Sequence, residues 1–159
     1  MDRLIELIRT LEGLRLEAYQ CSAGVWTIGY GHTKGVRKGS KCTLEQADKW
    51  LADEVAEFRA KVVDVLPEGL EDCKVDALTS FAYNVGLDAL KTSTLLQIIK
   101  EDSNDLRIVK QFSRWCKAKG CVIIGLLRRR RKECELYFEN YENKTALRKA
   151  IVNSFDSVI

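Results

Sequence analysis

The stretch EGLRLEAYQCSAGVWTIGYGHT, residues 12–33, decides how the chain is to be understood. It sets an acid before a glycine, then a dense run of Tyr, Cys, Trp and Thr that closes on the only histidine, His32. Four of the ten glycines, Gly13, Gly24, Gly29 and Gly31, fall inside it. Gly13 follows an apolar stripe at helical spacing (Leu4, Leu7, Ile8, Leu11) and is a natural helix stop. Leu16, Tyr19, Val25, Trp26, Thr27, Ile28 and Tyr30 are mostly strand formers, and CSAG between them is turn material. A short helix followed by a small antiparallel sheet is expected.

Outward from this segment, CTLEQADKWLADEVAEFRAKVVDVL opens with Thr43 and has Gln46 three residues on, the signature of a capping box. Leu44, Ala47, Leu51, Val55, Phe58, Val62 and Leu66 then recur every three or four residues, which predicts a long amphipathic helix ended by the single proline, Pro67. From Leu70 onward the pattern stays helical: EDCKVDALTSFAYNVG stops at Gly86, TSTLLQIIKED starts on hydroxyl caps, and DLRIVKQFSRW is shorter. A basic helix over Leu126 to Tyr137 and TALRKAIVNSF complete the chain. The fold class expected is α+β, mainly helical. One domain is predicted, with a sheet lobe over residues 14–42, a connecting helix over 43–66, and a helical lobe over 67–159 that helix 2–12 joins.

The 159 residues are enough to bury a core without staples, and 46% hydrophobic with 31% charged residues is ordinary for a globular protein. The net charge of +3 is mild, and much of the excess sits in RRRRK at 128–132, which favours polyanionic partners. The start, MDRLIELIRT, mixes charges into its apolar pattern, so neither a secretory leader nor a membrane span is expected. Six cysteines without CxxC pairs, beside one histidine, assemble no familiar zinc pattern, and free thiols are the expectation. No metal or cofactor is called for.

Glycoside cleavage needs an acid at the leaving oxygen and, across the sugar, a group that handles water or the developing positive charge. Glu12 stands where a helix ends, and Cys21 and Thr27 bracket the turn of the hairpin that follows, at a spacing of Glu, eight residues, Cys, five residues, Thr. That spacing within GVWTIGYGHT resembles the hallmark of the phage-type lysozymes, the endolysin family, in which Asp or Cys occupies the middle position. The resemblance continues through ALTSFAYNVG (77–86), STLL (93–96), RWCKAKG (114–120) and GLLRRRRKECELY (125–137), and so covers residues 3–138.

The resemblance implies a sheet lobe and a helical lobe joined by a long helix, and an enzyme that cuts the β-1,4 bond between N-acetylmuramic acid and N-acetylglucosamine of peptidoglycan. It implies Glu12 as general acid, Thr27 as a residue that positions the attacking water, and Cys21 where many members carry aspartate. His32 resembles a histidine that steadies the sheet lobe, Arg129 is implied as the guanidinium partner of Glu12, and Asn84 matches a position near the sugar-binding cleft. A thiol with an ordinary pKa of about 8.5 is mostly protonated at neutral pH, so a working Cys21 needs surroundings that favour thiolate, such as an arginine. A monomer is expected, held in the cytoplasm of a bacterial host until a holin or similar protein opens the membrane, and acting on the cell wall. Two rivals share the residues: a lytic transglycosylase, which needs the acid but no water-positioning partner, and a non-catalytic wall-binding relative. A nucleic-acid module built on RRRRK lacks the aromatic-studded basic face that such binding uses.

Overall fold

The computed structural model describes residues 2–21 and 23–158 and divides into two compact units, the first running to Phe58 and the second starting at Arg59. The first unit opens with α1 (Asp2–Glu12), which buries Leu4 and Ile8 completely. Gly13 follows with φ +73°, the left-handed conformation that stops a helix and that glycine adopts without a Cβ clash. The first unit thus takes in α1, which the sequence grouped with the helical lobe. Within the unit α1 is tied down by Arg9, whose Nη2 lies 2.9 Å from Asp48 and whose guanidinium lies 5.9 Å from the Tyr30 ring centroid.

Strands β1 (Arg15–Gln20) and β2 (Trp26–Gly29) pair antiparallel, with Tyr19 opposite Thr27, Gln20 opposite Trp26, and a register shift between Arg15 and Tyr19. An isolated bridge joins Glu17 to Lys41, closed by an exposed 2.8 Å ion pair. Gly29 ends β2 at φ +65°, and a Cβ there would stand 3.3 Å from the Cβ of Ala47. This is the one glycine in the stretch where both backbone conformation and close approach exclude a side chain.

Helix α2 (Leu44–Val63) begins with the capping box expected: Thr43 N–H donates to Gln46 Oε1 (2.9 Å) and Gln46 N–H donates to Thr43 Oγ1 (3.2 Å). It ends sooner than the apolar pattern suggested. Val65 N–H bonds to Val62 O and Leu66 N–H to Val63 O, so the chain tightens into three-residue turns before Pro67. The unit boundary falls inside this helix.

The second unit is helical. It contains α3 (Asp72–Val85), α4 (Leu87–Lys91), α5 (Thr94–Glu101), α6 (Arg107–Ser113), α7 (Ile124–Tyr137), α8 (Lys144–Phe155) and a final 3₁₀ turn (Asp156–Val158). α3 ends before Gly86, at φ +97°, where the sequence pattern placed its stop. Ser93 caps α5 by accepting from Leu96 N–H at 3.0 Å, and Asn143 caps α8 by accepting from Ala146 N–H at 3.0 Å. Phe81 of α3 meets Phe112 and Trp115 edge-to-face at centroid distances of 5.7 and 5.3 Å. Phe81 and Phe112 are fully buried, each worth about 1.5–3 kcal/mol in removal of apolar surface from water.

One element of the second unit was not anticipated. Lys117–Ala118 (β3) and Cys121–Val122 (β4) form a minimal antiparallel hairpin where the pattern was read as helical throughout. Its two turn residues, Lys119 and Gly120, both take positive φ (51° and 80°), which matches the right-handed twist of a tight hairpin. α7 then starts at Ile124, two residues before the expected Leu126.

Candidate active site

Glu12 is the last residue of α1 and is exposed. Cys21 directly follows β1 and is half-buried; Thr27 lies in β2 and is only 4% exposed. The hairpin brings these two together. Cys21 N–H donates to Val25 O (3.0 Å), Gly24 N–H donates back to Cys21 O (2.8 Å), and Gln20 Nε2 donates to Gly24 O (3.1 Å). Gly24 supports this closure at φ +77°.

The closed turn directs donors at sulfur. The peptide N–H of Ala23, then that of Val25, the Thr27 hydroxyl and the residue's own N–H hold the Cys21 thiol below its ordinary range, against a smaller opposing effect of burial. Hydrogen bonds to the charged form favour that form. The support for thiolate thus comes from peptide groups and a hydroxyl, where the sequence suggested an arginine. The Thr27 hydroxyl also lies 3.1 Å from Val25 O, so its single proton is shared between a carbonyl and the sulfur.

His32 has both ring nitrogens engaged. Nε2 lies 2.9 Å from Lys34 O, which can only accept, so Nε2 carries a proton; Nδ1 faces Glu54 Oε1. The ring stacks on Trp50 at 4.3 Å and 13°. A bridge between Ile28 and His32, with Ile28 N–H donating to His32 O at 2.9 Å, ties this ring to the end of β2. Trp50 and Glu54, four residues apart on α2, escaped the sequence reading. Their spacing was visible, but nothing in it pointed to His32.

Arg129 and Asn84 belong to the second unit. Arg129 is buried, with Nε 3.0 Å from Glu133 Oε1 and Nη2 3.1 Å from Ser80 O. Ser80 Oγ also donates to Glu133 Oε1, at 2.8 Å. Arg130 is wholly buried, its guanidinium 4.8 Å from the Phe81 ring centroid and its Nε 3.0 Å from Glu133 Oε2. Asn84 is exposed near the end of α3, and its Oδ1 accepts from Arg130 Nη2 at 2.8 Å. Glu133 is the residue that organises this cluster and was not singled out from sequence, although it stands at i+4 from Arg129 and i+3 from Arg130. Of the run RRRRK, then, two arginines are internal, and Arg131 pairs with Glu135 at 3.2 Å.

All six cysteines are free thiols. Cys73, Cys116 and Cys134 are buried, and burial pushes the thiols of Cys73 and Cys134 up, away from reactivity. Cys42 is half-buried and likewise pushed up by burial. Among the described residues no group of three His, Cys, Asp or Glu side chains could hold a metal ion.

Comparison with known proteins returns one family model over most of the chain: "Phage lysozyme" matches residues 9–133. An endolysin of Acyrthosiphon pisum secondary endosymbiont phage 1 is 39% identical over 141 residues, covering 86% of this chain and 95% of that protein. An endolysin of Bacillus phage B103 is 42% identical over 136 residues, but there the chain spans only 51% of the relative's length. Among solved structures, the muramidase domain of SpmX from Asticaccaulis excentricus superposes with a TM-score of 0.80 at 33% identity, covering 86% of this chain and 95% of that one.

Proposed function

Because the chain belongs to the phage lysozyme family, a family of peptidoglycan-degrading glycoside hydrolases, we propose that Glu12, Cys21 and Thr27 are its catalytic set, and that the bond cut is the β-1,4 link between N-acetylmuramic acid and N-acetylglucosamine. The observation that carries this assignment is the Cys21 sulfur held among peptide N–H groups and the Thr27 hydroxyl. Such donors favour the thiolate, which is the form that takes a proton from water.

The steps balance as follows. The Glu12 carboxyl gives its proton to the glycosidic oxygen as the bond to the anomeric carbon breaks. Water, oriented by the Thr27 hydroxyl, adds to that carbon, and its proton passes to the Cys21 thiolate. Exchange with solvent then returns the proton to Glu12 and restores the thiolate. In this scheme His32 holds the end of β2 through its bridge to Ile28. Asn84, placed by Arg130, contacts the sugar, and Arg129 serves Glu12 as its guanidinium partner. The last two roles rest on the sequence resemblance.

Product analysis separates the rival chemistries. Purified peptidoglycan treated with the enzyme should yield fragments with new reducing ends and the mass of one added water per cut. Anhydro-sugar ends without reducing groups would make the protein a transglycosylase, and an unchanged polymer would make it a binder.

Access to the wall is a separate step. Among the described residues no helix is long and apolar enough to cross a membrane. We propose the access route that the family resemblance implies: bacteria expressing this chain alone should remain intact, and should lyse when a holin or another pore-forming protein is supplied. Lysis without any such partner would show that the chain releases itself.

A further inference from the structure

The second unit carries a groove of about 650 Å³ lined by Lys110, Ser113, Arg114, Lys117, Asn153, Ser154, Ser157 and Val158. Its charged lining consists of three cations and no acid. Among the described residues none of the three stands in an ion pair. One wall is built from α8 and the final turn, which lie beyond residues 9–133 and so outside the part the family model matches. The catalytic scheme proposed above uses none of the residues that line it.

The three cations come from one stretch of eight residues. Lys110 and Arg114 are one helical turn apart, about 6 Å along the axis of α6 at ~1.5 Å per residue, and Lys117 continues onto β3. A cation at Arg114, the residue that caps α6, also suits the negative end of the helix dipole. That explanation does not reach Lys117 on the hairpin. Three cations in one groove suit a ligand that repeats its charge, and a groove of this volume is far larger than a single oxyanion needs. The opposite wall offers the amide of Asn153 and the hydroxyls of Ser154 and Ser157; Ser157 Oγ already donates to Asn153 O at 2.7 Å, which leaves its oxygen as an acceptor. No aromatic ring lines the groove, so it has nothing on which a nucleic-acid base would stack. The run RRRRK is a poorer candidate for such a surface, since Arg129 and Arg130 are internal and Arg131 faces Glu135 and Asp156.

We infer that this groove is a binding site for a base-free phosphodiester polymer, of the kind bacterial envelopes carry, and that it retains the protein near its substrate independently of bond cleavage. The test uses the full chain and immobilised poly(glycerol phosphate). The variant Lys110→Gln/Arg114→Gln/Lys117→Gln should bind at least about tenfold more weakly, and the slope of log affinity against log salt should fall by about 2, as expected for loss of three phosphate contacts. Hydrolysis of a soluble, phosphate-free glycan should be unchanged. The control Arg128→Gln/Lys132→Gln, which removes two exposed charges from α7, should bind like the parent. Equal weakening in the control, equally tight binding of polyglutamate or of single-stranded DNA, or failure of the parent to bind would each overturn the assignment. Retention of polymer by a chain that cuts no glycan would sink the lysozyme mechanism and leave this site standing.

Discussion

Glu12→Gln should leave a folded protein whose peptidoglycan hydrolysis is slower by at least ~10²–10⁴-fold, the usual contribution of a positioned general acid. The amide matches the carboxyl in size and keeps its capacity for hydrogen bonds, but it has no proton to give to the leaving oxygen. The position itself is informative. Glu12 ends α1, where the helix dipole is negative and a carboxylate is disfavoured by roughly 0.3–1 kcal/mol. An acid kept in that place serves something other than the helix. Because the residue is exposed, its replacement opens no cavity, and thermal melting of the variant should follow that of the parent. Rates are to be measured by release of reducing ends from purified peptidoglycan, with melting followed by circular dichroism. Near-parental hydrolysis by a folded Glu12→Gln protein would remove the acid from the mechanism.

Cys21 should behave as a base that titrates. Cys21→Ser should lose most of the activity, on the order of 10²-fold, because a hydroxyl of similar size does not ionise in the working range. Cys21→Asp should keep activity, because an aspartate there accepts the same peptide donors in ionised form. The pH profiles give the sharper result. Donors from Ala23, Val25 and Thr27 lower the Cys21 pKa, so thiolate persists further toward acid than for an ordinary cysteine near ~8.5, and activity falls as pH drops through the folded value. In Cys21→Asp that acid limb should move down toward the range of a carboxyl near ~3.9. Alkylation should follow the same titration, rising with pH and slowing when glycan occupies the site. Burial raises the pKa of Cys73, Cys134 and half-buried Cys42, Cys116 is buried, and exposed Cys121 can be replaced by Ser to leave Cys21 as the reporter. Full activity of Cys21→Ser, or an acid limb that does not move in Cys21→Asp, would reduce the sulfur to lining.

Much of the molecule was legible in the sequence because its signals are local. The helix stop at Gly13, the box of Thr43 and Gln46, the cap at Ser93 and the break at Gly86 each depend on residues within one turn of chain, and each appears where the pattern placed it. The turn between β1 and β2 belongs to the same class, and with it the closeness of Cys21 and Thr27. The β3–β4 hairpin was missed because two-residue strands show no alternation, leaving Lys119–Gly120 as its sole local mark.

What only the tertiary structure decided is which groups face which. Four consecutive arginines point around a helix in steps of about 100°, and their sequence does not say which side will be covered. Ser80, Phe81 and Asn84 of α3 decide it: they meet Arg129 and Arg130, and Glu133 pairs with both arginines from the same helix. His32 likewise acquires its role from Glu54 and Trp50, some twenty residues away in the chain. The source of the low Cys21 pKa was hidden for a related reason. Every residue carries a peptide N–H, so composition cannot reveal where two of them will converge on a sulfur; that follows only once Cys21 and Val25 are locked across the turn. Residue type and spacing determine the chemistry available to this chain, whereas the desolvation and donors that tune each group come from neighbours that folding alone brings together.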